Sequence, residues 1–119
     1  MKAYRKNPVG AHYGLGDWLL QRLTALAMAV YTVLVLAGVA MVQPQGFEGW
    51  RHFFTGAFMR IATMLFFVAL IYHAWIGMRD IYMDYLKPVA VRLAFEAVTV
   101  VVLVGYLGWT IQVLWGSRA

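Results

Sequence analysis

The sequence predicts an all-α membrane protein of three transmembrane helices, and three observations carry that prediction. Residues 24–42, 61–78 and 97–117 form three uncharged apolar stretches. Each approaches the roughly 20 residues with which a helix crosses about 30 Å of hydrocarbon. The composition is 63% hydrophobic and 13% charged, against roughly 45–50% and about 25% in a soluble domain. A chain of 119 residues has too little interior to hide that much apolar surface from water. Finally, Arg22, Arg60, Arg79, Glu96 and Arg118 stand at the edges of the stretches, where a bilayer ends. Backbone groups in lipid must be satisfied within the segment, so helices are expected; barrel strands would be about half as long and alternating.

The elements follow in order within one unit, 1–119. Lys2, Arg5 and Lys6 open the chain and lead into a mixed, glycine-containing segment. A signal peptide has an apolar core of about 7–15 residues soon after its charges; here the apolar run starts late and is too long, which predicts a retained helix over 18–42. Gln43-Pro44-Gln45-Gly46 then makes a turn. Residues 46–54, with Glu48, Trp50, Arg51 and His52, read as a short interfacial segment leading into a second span over 53–79. Pro88 suits the first turn of a third span over 88–115, because its missing N–H has no helical partner there. Trp18, Trp50 and Trp115 fall near span ends, at headgroup level.

Charge sets the orientation. With three spans the N-terminus and the second loop share a side, and they carry Lys2, Arg5, Lys6, Arg22, Arg79, Lys87 and Arg92. The other side carries Arg51, Arg60 and Arg118. The excess of Lys and Arg places the first group in the cytoplasm and the C-terminus on the opposite side of the membrane. The same distribution explains the net charge of +5 as topology rather than as a nucleic-acid surface. There is no cysteine, which excludes disulfides and Cys-ligated iron–sulfur clusters within this chain. No internal repeat is present, which removes the usual signature of a repeat-built transporter.

Inside the second stretch lies His73, and an ionisable residue within a span is costly and functional by default. Two readings stand side by side: a histidine hydrogen-bonded to a neighbouring helix, or a haem axial ligand, since imidazole binds iron well. Ala69 and Gly77 flank it one turn away on the same face, where small residues admit a flat macrocycle or another helix. If the helix persists, Asp80 and Asp84 continue the same stripe, because their spacings from His73 nearly complete whole turns. Tyr85 follows directly. A tyrosine hydroxyl beside a carboxylate is suited to binding a quinone carbonyl and supplying protons from water; an interfacial anchor beside a solvated turn residue is the plainer alternative. Arg22 either snorkels to headgroups or pairs with an anionic cofactor group such as a propionate.

The string His73-Ala74-Trp75-Ile76-Gly77-Met78-Arg79-Asp80 followed by Asp84-Tyr85-Leu86-Lys87-Pro88 resembles the D-type membrane-anchor subunit of proteobacterial succinate dehydrogenase (respiratory complex II). The basic start and Arg22-Leu23-Thr24-Ala25 at the opening of the first helix extend the resemblance over nearly the whole chain. It implies half of a helical bundle, completed by a companion C-type cytochrome b anchor. It further implies that His73 is one axial ligand of a shared haem b, that Arg22 lies near the haem propionates, and that Tyr85 and Asp84 serve ubiquinone. FAD and the iron–sulfur clusters would reside in partner flavoprotein and iron–sulfur subunits on the cytoplasmic face. One departure is Gly16 before Asp17, where some relatives carry a histidine; nearby His12 is the substitute candidate. The rival readings are a fumarate reductase anchor, a small proton or cation transporter using His73 and Asp84 as relays, and an inert assembly factor.

Overall fold

The computed structural model describes the backbone of residues 8–116 and the side chains from residue 14 to residue 116. Lys2, Arg5, Lys6 and Arg118, and the side chain of His12, lie outside the described residues. Four helices occur in the order α1 (Pro8–Val42), α2 (Gly46–Thr55), α3 (Ala57–Tyr85) and α4 (Val89–Trp115). Three of them contain runs long and apolar enough to cross a membrane: Gly14–Val42, Ala57–Tyr85 and Val89–Trp115. The expected all-α architecture with three candidate spans is therefore present.

The helices are longer than the apolar stretches that announced them. α1 has 35 residues, which corresponds to about 52 Å, well beyond the roughly 30 Å of hydrocarbon. α3 has 29 residues and continues past Arg79 to Tyr85, so the condition for a common His73–Asp80–Asp84 stripe is met. It ends with the Leu86 N–H donating to the Tyr82 carbonyl at 2.9 Å. Pro88 sits one residue outside α4, as its N-cap, and its carbonyl accepts from the Arg92 N–H at 3.0 Å.

α3 is the middle helix. α1 and α4 both pack on it, antiparallel, and the few buried side chains testify to this: Thr63, Ala69, Ile76 and Tyr82 are all on α3, joined by Thr24 of α1. Polar clasps fix the register. On the α1 side, Tyr31 Oη and Thr63 Oγ1 lie 2.6 Å apart, and the Tyr31 ring stacks on Phe66 at 4.6 Å. On the α4 side, Tyr82 Oη and Thr99 Oγ1 lie 2.7 Å apart, with the Tyr82 ring edge-on to Phe95. In lipid such hydrogen bonds and close contacts, rather than water exclusion, hold helices together. α4 itself buries no side chain.

The segment after the first span is a separate amphipathic helix rather than a lead-in to the second. α2 places Phe47, Trp50, Phe53 and Phe54 along one side and Glu48, Arg51 and His52 along the other. That composition suits a helix lying in the interface. Gln43 (φ 52°) and Gly46 (φ 68°) turn the chain into it with left-handed backbone, and Gly56 (φ −66°, ψ 157°) breaks it from α3. Phe53 anchors α2 to α1, because a Cβ added at Gly38 would stand 2.9 Å from the end of the Phe53 ring. Gly38→Leu is accordingly expected to overpack this contact and lower stability by about 1–3 kcal/mol. Reversible unfolding in a denaturing-detergent titration measures it, and unchanged stability would show that Phe53 does not need the space.

Candidate functional site

Asp17, Gln21 and Thr24 recur on α1 at helical spacing and share one side of it. Facing them on α3 are Arg79, Gly77 and His73. Together they form a polar seam running from the rim of the membrane domain toward its interior. At the rim the Arg79 guanidinium pairs with the Asp17 carboxylate, and it also stands 5.9 Å from the Trp75 ring centre. One turn further in, Gly77 faces Gln21, whose Nε2 would lie 3.9 Å from an added Cβ. That is ordinary van der Waals distance to the end of one side chain, so an alanine at 77 would also fit.

At the inner end the seam reaches His73. Its Nδ1 lies 3.1 Å from Thr24 Oγ1, and Thr24 is 8% exposed. The same hydroxyl donates along its own helix to the Leu20 carbonyl at 2.7 Å. Nε2 of His73 has no hydrogen-bond partner among the described residues. Both sequence readings of His73 thus keep support: the ring is bonded to a neighbouring helix through one nitrogen, and the other nitrogen remains open to a ligand.

The remaining predicted residues are not gathered into the seam. Tyr85 is 77% exposed, and Asp80 and Asp84 are exposed. Tyr85 stands twelve residues beyond His73, about 18 Å along the helix axis. Helical geometry keeps Asp80 and Asp84 within a few tens of degrees of the His73 stripe, with Tyr85 turned about 100° from Asp84. Arg22 is exposed and lies over the Trp18 ring, 5.0 Å from its centre. Among the described residues no group of three or more His, Cys, Asp or Glu side chains that could hold a metal ion occurs.

Sequence reasoning did not foresee Thr24 as the partner of His73, nor the Asp17–Arg79 pair and Gln21. The signal that was available is the polar run of Asp17, Gln21 and Thr24 at helical spacing in an otherwise apolar helix. A second concavity, an open cleft of about 740 Å³ between α3 and α4, is lined by Phe67, Leu70, Ala74, Leu103 and Trp109 among others. It contains none of the predicted site residues and is almost wholly apolar.

Comparison with known proteins identifies the family. Residues 3–108 match the family described as succinate dehydrogenase/fumarate reductase transmembrane subunit. The chain is also similar to a protein of Coxiella burnetii named succinate dehydrogenase hydrophobic membrane anchor subunit. The two are 38% identical over 105 residues, covering 88% of this chain and 91% of that one. With three membrane-length helices and a match over most of its length, the chain belongs to the transmembrane, membrane-anchor subunits of the succinate dehydrogenase/fumarate reductase family.

Proposed function

We propose that this chain is the haem- and ubiquinone-binding anchor of a bacterial succinate:ubiquinone oxidoreductase, and that it fastens the flavoprotein and iron–sulfur subunits to the cytoplasmic face of the inner membrane. The observation that carries the proposal is the His73 imidazole, set in an apolar helix, bonded through Nδ1 to Thr24 and without a hydrogen-bond partner at Nε2 among the described residues. That is the geometry of a metal-binding histidine, whose second nitrogen is normally tied to a hydrogen-bonding partner. The donor set fits a haem b shared between subunits: this chain would supply one imidazole, His73, and the companion C-type anchor would supply the rest of the haem site. When bound, such a haem supplies a one-electron store within the membrane domain.

The chain's own residues do the rest. His73 would hold the haem iron through Nε2. Arg22, long and exposed near the rim, swings from Trp18 to pair with a propionate. Tyr85 donates its hydroxyl proton in a hydrogen bond to a ubiquinone carbonyl, and Asp84 beside it accepts protons from the cytoplasm and passes them on. Reduction of ubiquinone to ubiquinol takes two electrons, delivered from the iron–sulfur subunit, and two protons taken up at this rim. Both residues are exposed because the pocket needs walls from the partner subunits. Succinate oxidation itself belongs to the flavoprotein, so the chain is enzymatic as part of the tricarboxylic acid cycle enzyme rather than alone. The family description also covers fumarate reductases; the named relative and the open imidazole favour the succinate dehydrogenase side.

The test is a mild-detergent purification through a tag on this chain. A haem b spectrum with two imidazole ligands, together with co-purifying flavoprotein, iron–sulfur and second anchor subunits, is the expected result. A chain recovered alone, without haem absorbance, and active in gradient-driven ion transport would overturn the proposal in favour of a transporter.

A further inference from the structure

The Thr24 hydroxyl carries a single proton and has three neighbours that compete for its two roles: the Leu20 carbonyl at 2.7 Å, the Gln21 carbonyl at 3.2 Å and His73 Nδ1 at 3.1 Å. Carbonyl oxygens only accept. A threonine inside a helix commonly returns its proton to the carbonyl four residues back, and here that contact is the shortest of the three. With the proton spent on Leu20, Oγ1 has only lone pairs to offer across the helix interface. A hydrogen bond to His73 then requires that Nδ1 carry the proton. Burial of Thr24 leaves little room for water to take either role.

We infer that Thr24 is a positioning residue for His73: its hydroxyl accepts the Nδ1–H, fixes the ring's orientation and tautomer, and leaves Nε2 as the bare electron-pair donor. The assignment of the tautomer follows from this chain alone; its consequence for iron rests on the haem reading proposed above. An accepted Nδ1–H makes the opposite nitrogen a stronger donor. Thr24 therefore sets both the aim and the basicity of the imidazole. The seam supports this role. The Asp17–Arg79 pair at one end and the Tyr31–Thr63 bond at the other clamp α1 and α3 in register on either side of the Thr24–His73 contact, so the distance between hydroxyl and ring is set by the helices rather than by a mobile loop.

Two measurements separate the parts. First, the full chain without haem is labelled with nitrogen-15 at its three histidines, and the His73 signals are assigned by their loss in His73→Ala. The expected spectrum shows a protonated Nδ1 and an unprotonated Nε2. Thr24→Val, which keeps the shape and removes the hydroxyl, shifts the ring toward the Nε2–H form, and Thr24→Ser restores the original. A wild-type ring already protonated at Nε2, or one indifferent to Thr24→Val, overturns the inference. Second, in the assembled complex Thr24→Val is expected to weaken haem retention by about 10–100-fold, the usual effect of losing such a partner. It is also expected to raise the midpoint potential of the haem that remains, while Thr24→Ser behaves as wild type. A complex that never holds haem, alongside the predicted nitrogen-15 result, removes the haem reading and leaves the positioning role standing. Haem retention and potential both unmoved by Thr24→Val would remove its role toward iron.

Discussion

His73→Ala is expected to abolish stable haem binding while leaving the three spanning helices in place. The substitution removes the nitrogen proposed to reach iron, Nε2 of His73, which has no hydrogen-bond partner among the described residues. Losing a partner of a metal-binding histidine already costs 10–100-fold in affinity, and losing the ligand itself should cost more than about 100-fold by the same scale. The fold should tolerate the change, because α1 and α3 remain joined through Asp17–Arg79, Tyr31–Thr63 and the Tyr31–Phe66 stack. The cost to stability comes from the space left by the ring and from a Thr24 oxygen that loses its donor, together on the order of 1–3 kcal/mol. Optical spectra of the purified complex measure the first effect and helical content measures the second. Imidazole added to the variant should return part of the absorbance by occupying the vacated volume. Retention of an unaltered two-imidazole spectrum would assign the iron to another residue and sink the central claim.

The second large effect is expected from Tyr85→Phe. Here the side chain is 77% exposed, so deleting its hydroxyl leaves packing and stability untouched, and any loss must come from what the hydroxyl binds. A neutral hydrogen bond contributes roughly 0.5–1.5 kcal/mol net, and more where charge develops on the acceptor. A carbonyl gaining electrons is such an acceptor, which points to a fall of about 10-fold or more in kcat/KM for ubiquinone. Succinate oxidation measured with an artificial electron acceptor should be spared, since that acceptor bypasses the membrane domain. Equal losses in both assays would indicate a general assembly defect, and undiminished ubiquinone turnover would remove Tyr85 from the site.

These expectations were legible in the sequence to different depths. Length, hydropathy and flanking arginines located the three spans because lipid imposes a simple rule on any segment that crosses it. The stripe from His73 to Asp84 was readable only on the condition that the helix continue beyond Arg79. α3 does continue, to Tyr85, since nothing before Lys87-Pro88 interrupts it. The independence of α2 was not readable: the break falls at Gly56 in ordinary extended backbone, and apolar residues run through it on both sides. The Thr24–His73 bond was out of reach for a different reason. Periodicity reports which residues share a face of one helix, but not the axial offset at which two helices meet. That offset is fixed here by contacts as specific as Tyr31 with Thr63. The Asp17–Arg79 pair stood closer to view, as opposite charges assigned to the same side of the membrane.

α4 conceals none of its side chains from solvent or lipid by means of its own chain, and its polar tie to α3 is the single Tyr82–Thr99 hydroxyl pair. A rod gripped along so narrow a strip has little to decide its roll about its long axis. In the proposed assembly, companion helices would choose that angle. On that proposal α1 and α3 are latched by their own polar contacts, while the roll of α4 would be settled by the company it keeps.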